Sequence, residues 1–86
     1  ENETLKAGAP GHYTPAEWGR VLAEWSRTCA YCGMSSGGFL EADHRIPLSR
    51  GGSNDISNIL PACYPCTRRK GILTVREFLG VSRVAA

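Results

Sequence analysis

An 86-residue chain has room for one small domain, since chains divide only above roughly 250 residues, and its core is too small to be stable without a staple. Its 42% hydrophobic content excludes a disordered chain. No apolar stretch approaches the ~20 residues that span a bilayer, so a soluble chain with no membrane partner is expected. The net charge of +2 conceals a basic segment: residues 44–76 hold Arg45, Arg50, Arg68, Arg69, Lys70 and Arg76 against Asp55 alone, a balance of +5. Such a segment suits a polyanion, or is simply a solvated basic face.

Residues 1–13, with Gly8, Pro10 and Gly11, lack periodic apolar positions and are expected to form a mobile N-terminal arm in which His12 is solvated. The chain opens on Glu1 rather than Met and carries no signal-type apolar core ahead of Cys29, so it reads as a processed chain or a domain of a longer protein. Thr14-Pro15-Ala16-Glu17 is a capping box with proline at the first helical position. The helix it opens carries Trp18, Val21, Leu22 and Trp25 as one apolar stripe, expected to pack on the core. Gly33 follows a cysteine turn in which a left-handed backbone is expected. Phe39 to His44 reads as a strand, residues 45–57 as a long irregular loop around Gly51-Gly52, and Asn58 to Ala62 as a second strand. A short helix carries Thr67 to Lys70 and stops at Gly71. Thr74-Val75-Arg76-Glu77 is a second capping box, opening a helix with Phe78 and Leu79 on its core side and Gly80 as its expected stop. The folded domain is thus expected over 14–80, with 81–86 as a C-terminal tail.

The four cysteines fall as Cys29-x-x-Cys32 and Cys63-x-x-Cys66, thirty residues apart. Two such knuckles can place four thiolates at the corners of a tetrahedron, the arrangement of a structural Zn²⁺ site, with no open position for catalysis. Paired disulfides would require an oxidising compartment, and a thioredoxin-like redox site would normally use one such motif. Tyr31 and Tyr64, inside the knuckles, are expected to pack.

Between the knuckles stand Asp43-His44-Arg45-Ile46-Pro47, Gly51-Gly52 and Asn58-Ile59-Leu60-Pro61, and the second knuckle continues as Cys66-Thr67-Arg68-Arg69-Lys70-Gly71. In this order the residues closely resemble the HNH endonuclease family in its four-cysteine zinc form, as found in phage and restriction-associated nucleases, from about Thr14 to Leu79. Phosphodiester hydrolysis needs a base for the water proton and positive charge against the phosphate. His44 can be that base, and Asp43 can hold a hard divalent cation, Mg²⁺ or Mn²⁺. Neighbours on a strand face opposite ways, so the pair must sit where the strand ends or bends. The resemblance gives Asn58 the scaffolding role of tying the loop and orienting His44. It also exposes a departure at Thr67, where the family usually carries His or Asn as a second ligand to the catalytic metal. A threonine hydroxyl starts one bond nearer the backbone and leaves a gap for water, so Thr67 reads equally as a weak ligand or as an ordinary first-turn polar residue. Arg68, Arg69 and Lys70 resemble the family's basic helix, expected to contact DNA phosphates, with Arg45 and Arg50 doing so from the loop.

The expected fold is therefore α+β: a zinc-stapled ββα-metal domain with an N-terminal helix and a short C-terminal helix. The expected activity is divalent-metal-dependent nicking of DNA with weak sequence specificity, inside the cell in the cytoplasm or nucleoid. The alternative is a catalytically weak or inactive zinc module that binds nucleic acid or scaffolds a larger complex.

Overall fold

A computed structural model of the chain describes residues 9–35 and 39–85. In chain order it contains α1 (Pro15–Glu24), β1 (Glu41–His44), β2 (Ile59–Ala62), α2 (Tyr64–Lys70) and α3 (Val75–Ala85). Short 3₁₀ turns at Leu48–Arg50 and Ile56–Asn58 give shape to the loop expected to be irregular. The protein is a small α+β domain whose two antiparallel strands pair Glu41 with Ala62, Asp43 with Leu60 and His44 with Ile59. Helix α1 packs on β2 and α2 on β1.

Helix α1 begins as its capping box requires. The Thr14 amide donates to Glu17 Oε1 at 2.8 Å and the Glu17 amide to Thr14 Oγ1 at 3.1 Å, a reciprocal pairing in a motif whose cap alone stabilises by about 1 kcal/mol. The helix ends in a left-handed turn at Ser26 and Arg27 (φ 53° and 56°), where the Arg27 amide reaches back to Leu22 O at 2.8 Å. The Trp18–Trp25 stripe is covered less than expected: no residue of α1 is fully buried, and Trp25 is 37% exposed. A two-stranded sheet is too narrow to cover a ten-residue helix face.

The strongest burial is on β2, where all four residues are enclosed. The apolar cluster at the domain centre is Cys29, Ala62, Cys63 and Cys66, with Tyr31 and Leu40 packed against it. The core is thus built around sulfur. Strand β1 begins two residues later than expected and Phe39 is 84% exposed. Its partner strand turns into the second knuckle after Ala62, which leaves nothing for residues 39 and 40 to pair with. Asn58 closes a 3₁₀ turn rather than opening β2.

Two end segments depart from expectation. Tyr13, assigned to the mobile arm, is 5% exposed, and Pro10 O accepts a hydrogen bond from the Asn54 amide at 2.8 Å. The end of the arm is therefore packed, while residues 1–8 lie outside the described residues. Helix α3 starts at its capping box, with Thr74 N to Glu77 Oε1 at 3.0 Å and Glu77 N to Thr74 Oγ1 at 3.1 Å. It then continues through Gly80 to Ala85. A helical glycine costs only about 1 kcal/mol relative to alanine, too little to stop a helix without a left-handed turn. Gly71 does end α2, at φ 52°.

Candidate active site and metal centre

The knuckles bring the four cysteine sulfurs within 4.8 Å of one another, with Cys29 and Cys66 each 1% exposed. Cys32 Sγ and Cys63 Sγ stand 3.8 Å apart, far beyond a disulfide bond and close to the edge of a tetrahedron with about 2.3 Å from centre to corner. The first knuckle hangs from β2 by the bond from Ala30 N to Pro61 O at 2.9 Å, and Gly33 turns it at φ 77°. The amides of Tyr31 and Cys32 point at Cys29 Sγ at 3.4 and 3.5 Å. Burial pushes the Cys29 thiol up, but backbone donors from Cys63, Cys32 and Tyr31 outweigh it and bring it to about 6. Burial pushes the Cys63 thiol up, and burial with the neighbouring sulfurs does the same to Cys66. Arg69 Nη2 donates to Cys66 Sγ at 3.3 Å, placing positive charge beside the sulfurs. These four residues can hold one metal ion, with amides and a guanidinium offsetting the thiolate charge.

Asp43 and His44 end β1, where the chain leaves the sheet, and both line a cleft of about 250 Å³ with Pro47, Leu48, Ser49, Lys70 and Gly71. Asp43 is held from two sides. Tyr31 donates its hydroxyl to Asp43 Oδ2, and Lys70 Nζ lies 3.2 Å from the same oxygen. Both partners take Oδ2, so Oδ1 is left for a further ligand. Burial first, and then the carboxylate, push the Tyr31 phenol above its ordinary value, which keeps it a donor. Tyr31 also meets Phe78 edge-on with ring centres 5.4 Å apart. Lys70, expected on DNA phosphates, is instead 2% exposed and donates to His44 O at 2.8 Å. Its ammonium braces the Asp43-His44 pair and is out of reach of a phosphate.

Asn58 ties the loop as the resemblance implied. Its side chain accepts from Ile46 N at 3.0 Å and donates to Ile46 O at 3.0 Å and Ser53 O at 2.8 Å, while its carbonyl accepts from Arg45 N at 2.7 Å. Gly52 is required here, because a Cβ would stand 1.8 Å from Ile46 O. The His44 ring, however, is contacted by Asn54: Nε2 lies 2.9 Å from Asn54 Oδ1, and Asn54 is 1% exposed. No local signal singles out Asn54, which reads as one more polar residue in Gly-Gly-Ser-Asn-Asp. Tyr31 carries a weak signal, being an aromatic residue fixed between two ligands.

Thr67 lies one turn into α2, with its hydroxyl 2.8 Å from Cys63 O, 3.0 Å from Tyr64 O and 3.4 Å from Glu41 Oε1. One hydroxyl proton serves the nearest of these, so the side chain is used within its own helix. Among the basic residues, Arg50 forms a two-pronged pair with Glu77 and is turned toward α3, which holds the Glu77 carboxyl down to about 2. Arg45 lines a separate groove of about 680 Å³ with Arg76, Ser57 and Thr74. Arg68 is exposed and lies over the Tyr64 ring at 5.3 Å; Arg69 is also exposed. These two are the expected phosphate contacts that the fold leaves open on α2. No helix among the described residues is long and apolar enough to cross a membrane.

A sulfur-bound metal centre, an Asp-His pair at a strand end and an asparagine-tied loop together define a ββα-metal nuclease type of domain. The family model for HNH endonuclease matches residues 29–72, and the chain belongs to that family. It is also similar to the "SPbeta prophage-derived putative HNH endonuclease YoqL" of Bacillus subtilis strain 168, with 28% identity over 78 residues. That alignment covers 80% of this chain and 34% of YoqL, so the chain spans about a third of that relative's length.

Proposed function

We propose that residues 14–80 form a divalent-metal-dependent endonuclease that hydrolyses DNA phosphodiester bonds, one strand at each encounter. The observation that carries this reading is the cleft in which Asp43 and His44 meet beside Lys70 and Gly71. His44 takes a proton from water, the water oxygen attacks phosphorus, the bond to the leaving sugar oxygen breaks, and that oxygen picks up a proton from solvent. Asp43 would hold the divalent cation through Oδ1, and the cation would supply Lewis-acid charge at the phosphate oxygens. The donor set suits Mg²⁺ or Mn²⁺, which bind by one or two carboxylates plus water and phosphate. The four-sulfur site takes Zn²⁺ as a structural ion, closed to chemistry. Arg68 and Arg69 bind backbone phosphates flanking the cut, so sequence preference is weak. A parent protein would supply further domains.

One observation favours a second reading, a non-catalytic zinc module that binds nucleic acid. Thr67 spends its hydroxyl inside α2, so the second cation ligand usual in the family has no counterpart at that position. A supercoiled-plasmid assay with Mg²⁺ or Mn²⁺ separates the two. The nuclease reading expects open-circular product, slowed roughly 10²- to 10⁴-fold by His44→Ala with metal content intact. DNA binding without any His44-dependent cleavage would establish the second reading instead.

A further inference from the structure

We propose that Asn54 is the positioning residue of His44, and that the N-terminal strap of residues 10–13 holds Asn54 in place. The inference rests on the reading of His44 as general base. Asn54 Oδ1 lies 2.9 Å from His44 Nε2 in a position 1% exposed to solvent. An amide oxygen only accepts, so Nε2 carries the proton and the basic lone pair is on Nδ1. Among the described residues no second hydrogen bond to the ring occurs, and His44 itself lines the cleft, so Nδ1 is the nitrogen left for water. Asn58 cannot perform this task, because its amide is fully used on Ile46 and Ser53.

The strap makes Asn54 rigid from behind. Pro10 O accepts the Asn54 amide proton at 2.8 Å, and Tyr13 anchors the segment at 5% exposure. Between them Gly11, at φ 81°, runs so close to the loop that a Cβ would stand 2.2 Å from Asp55 Oδ1. Only glycine fits both that backbone angle and that approach. The strap lies outside the stretch matched by the family, residues 29–72, so the base of this chain is oriented by a segment beyond the family core.

The test joins imidazole ¹⁵N–¹H spectra of the full chain, without catalytic cation and at a pH where the ring is neutral, to cleavage rates. The wild type should show Nε2 protonated, with a slowly exchanging Nε2–H signal. Asn54→Ala should lose that signal to solvent exchange and lower kcat roughly 10- to 100-fold with KM for DNA within twofold, the range seen when outer partners of a site are removed. Asn54→Asp, which keeps an acceptor, should retain the signal and recover most of the rate. Gly11→Ala, remote from the ring, should speed exchange of the same proton with the four-sulfur centre still loaded. An unprotonated Nε2 in the wild type, or an unchanged signal in Asn54→Ala, overturns the proposal. If His44→Ala cleaves at the wild-type rate, the base assignment fails and the Asn54 role falls with it. If His44→Ala is inactive while Asn54→Ala is fully active, the Asn54 role alone falls.

Discussion

Lys70 offers the sharpest test of how the Asp43-His44 pair is held. It is a lysine 2% exposed, with its ammonium 3.2 Å from Asp43 Oδ2 and 2.8 Å from His44 O. Lys70→Met keeps most of the buried stem and removes the charge, leaving the His44 carbonyl without this donor and Asp43 with Tyr31 alone. Breaking a buried ion pair from one side costs about 3–5 kcal/mol. The Asp43 side chain keeps 12% of its exposure, so partial solvation trims the loss to about 2–3 kcal/mol. Lys70→Ala also strips three stem methylenes, adding about 2.4 kcal/mol. Against about 4–13 kcal/mol for a domain of this length, the alanine variant should be near the edge of folding and the methionine variant folded but weakened. Urea titration at fixed free zinc, followed by the fluorescence of Trp18 and Trp25, measures both. Combining Lys70→Met with Asp43→Asn should show a coupling of about 1–3 kcal/mol. Effects that add within about 0.5 kcal/mol, or a methionine variant as stable as the wild type, would refute the brace.

Metal removal should be equally decisive: the purified chain should hold about one tightly bound zinc, and chelation should abolish its helical circular dichroism, because the sulfurs are the centre of the core. A metal-free chain with unchanged dichroism would refute this. Arg68→Ala should lower the magnitude of the log–log salt slope of DNA binding by about one for all sequences, whereas Arg69→Ala should in addition hasten zinc loss, since Arg69 touches Cys66 Sγ. A slope unchanged in both would remove α2 from the interface. The Glu77 carboxyl is held at about 2 against an ordinary 4.5, first by Arg50 and then by the Thr74 amide. A depressed carboxylate stabilises the fold above its unfolded pKa and loses that contribution as pH falls through the folded one. The gap between wild type and Arg50→Ala in urea midpoint should therefore narrow as pH drops from about 4.5 toward about 2, and a constant gap would contradict the pairing.

Much of the fold is legible locally. Both capping boxes form as the Thr-x-x-Glu spacing dictates, because the two partners lie three residues apart and need no tertiary help. The cysteine cluster is legible for the same reason: a Cys-x-x-Cys turn aims its sulfurs together, and two such turns need one meeting point. What sequence spacing cannot convey is which cation meets which anion across the fold. Arg50 and Lys70 look alike as members of a basic segment, yet one folds onto Glu77 of α3 and the other is drawn under β1 to Asp43. Lys70 follows Cys66 by one helical turn and so inherits the inward face of that buried ligand, whereas Arg68 and Arg69 fall on the wet faces between. Asn54 and Tyr13 are hidden for a different reason: each is buried by a loop-to-strap contact with no periodicity to announce it.

The metal centre and the candidate catalytic pair share their supports, which makes the staple more than a source of stability. Tyr31 lies between Cys29 and Cys32, so its ring and hydroxyl are placed by the first knuckle; Lys70 lies one turn beyond Cys66, so its ammonium is placed by the second. Both end on Asp43 Oδ2. A carboxylate gripped through one oxygen by two knuckle-borne donors has its other oxygen aimed by them, and aim to within about 0.5 Å is what a site needs to present a ligand productively. His44 is gripped by different parts: its carbonyl by Lys70, its ring by Asn54 and, behind that, by the strap at Pro10. The two functions proposed for the pair thus have separable supports, cation placement through the knuckles and base orientation through the loop and strap. Lys70 is the residue through which the two supports are joined.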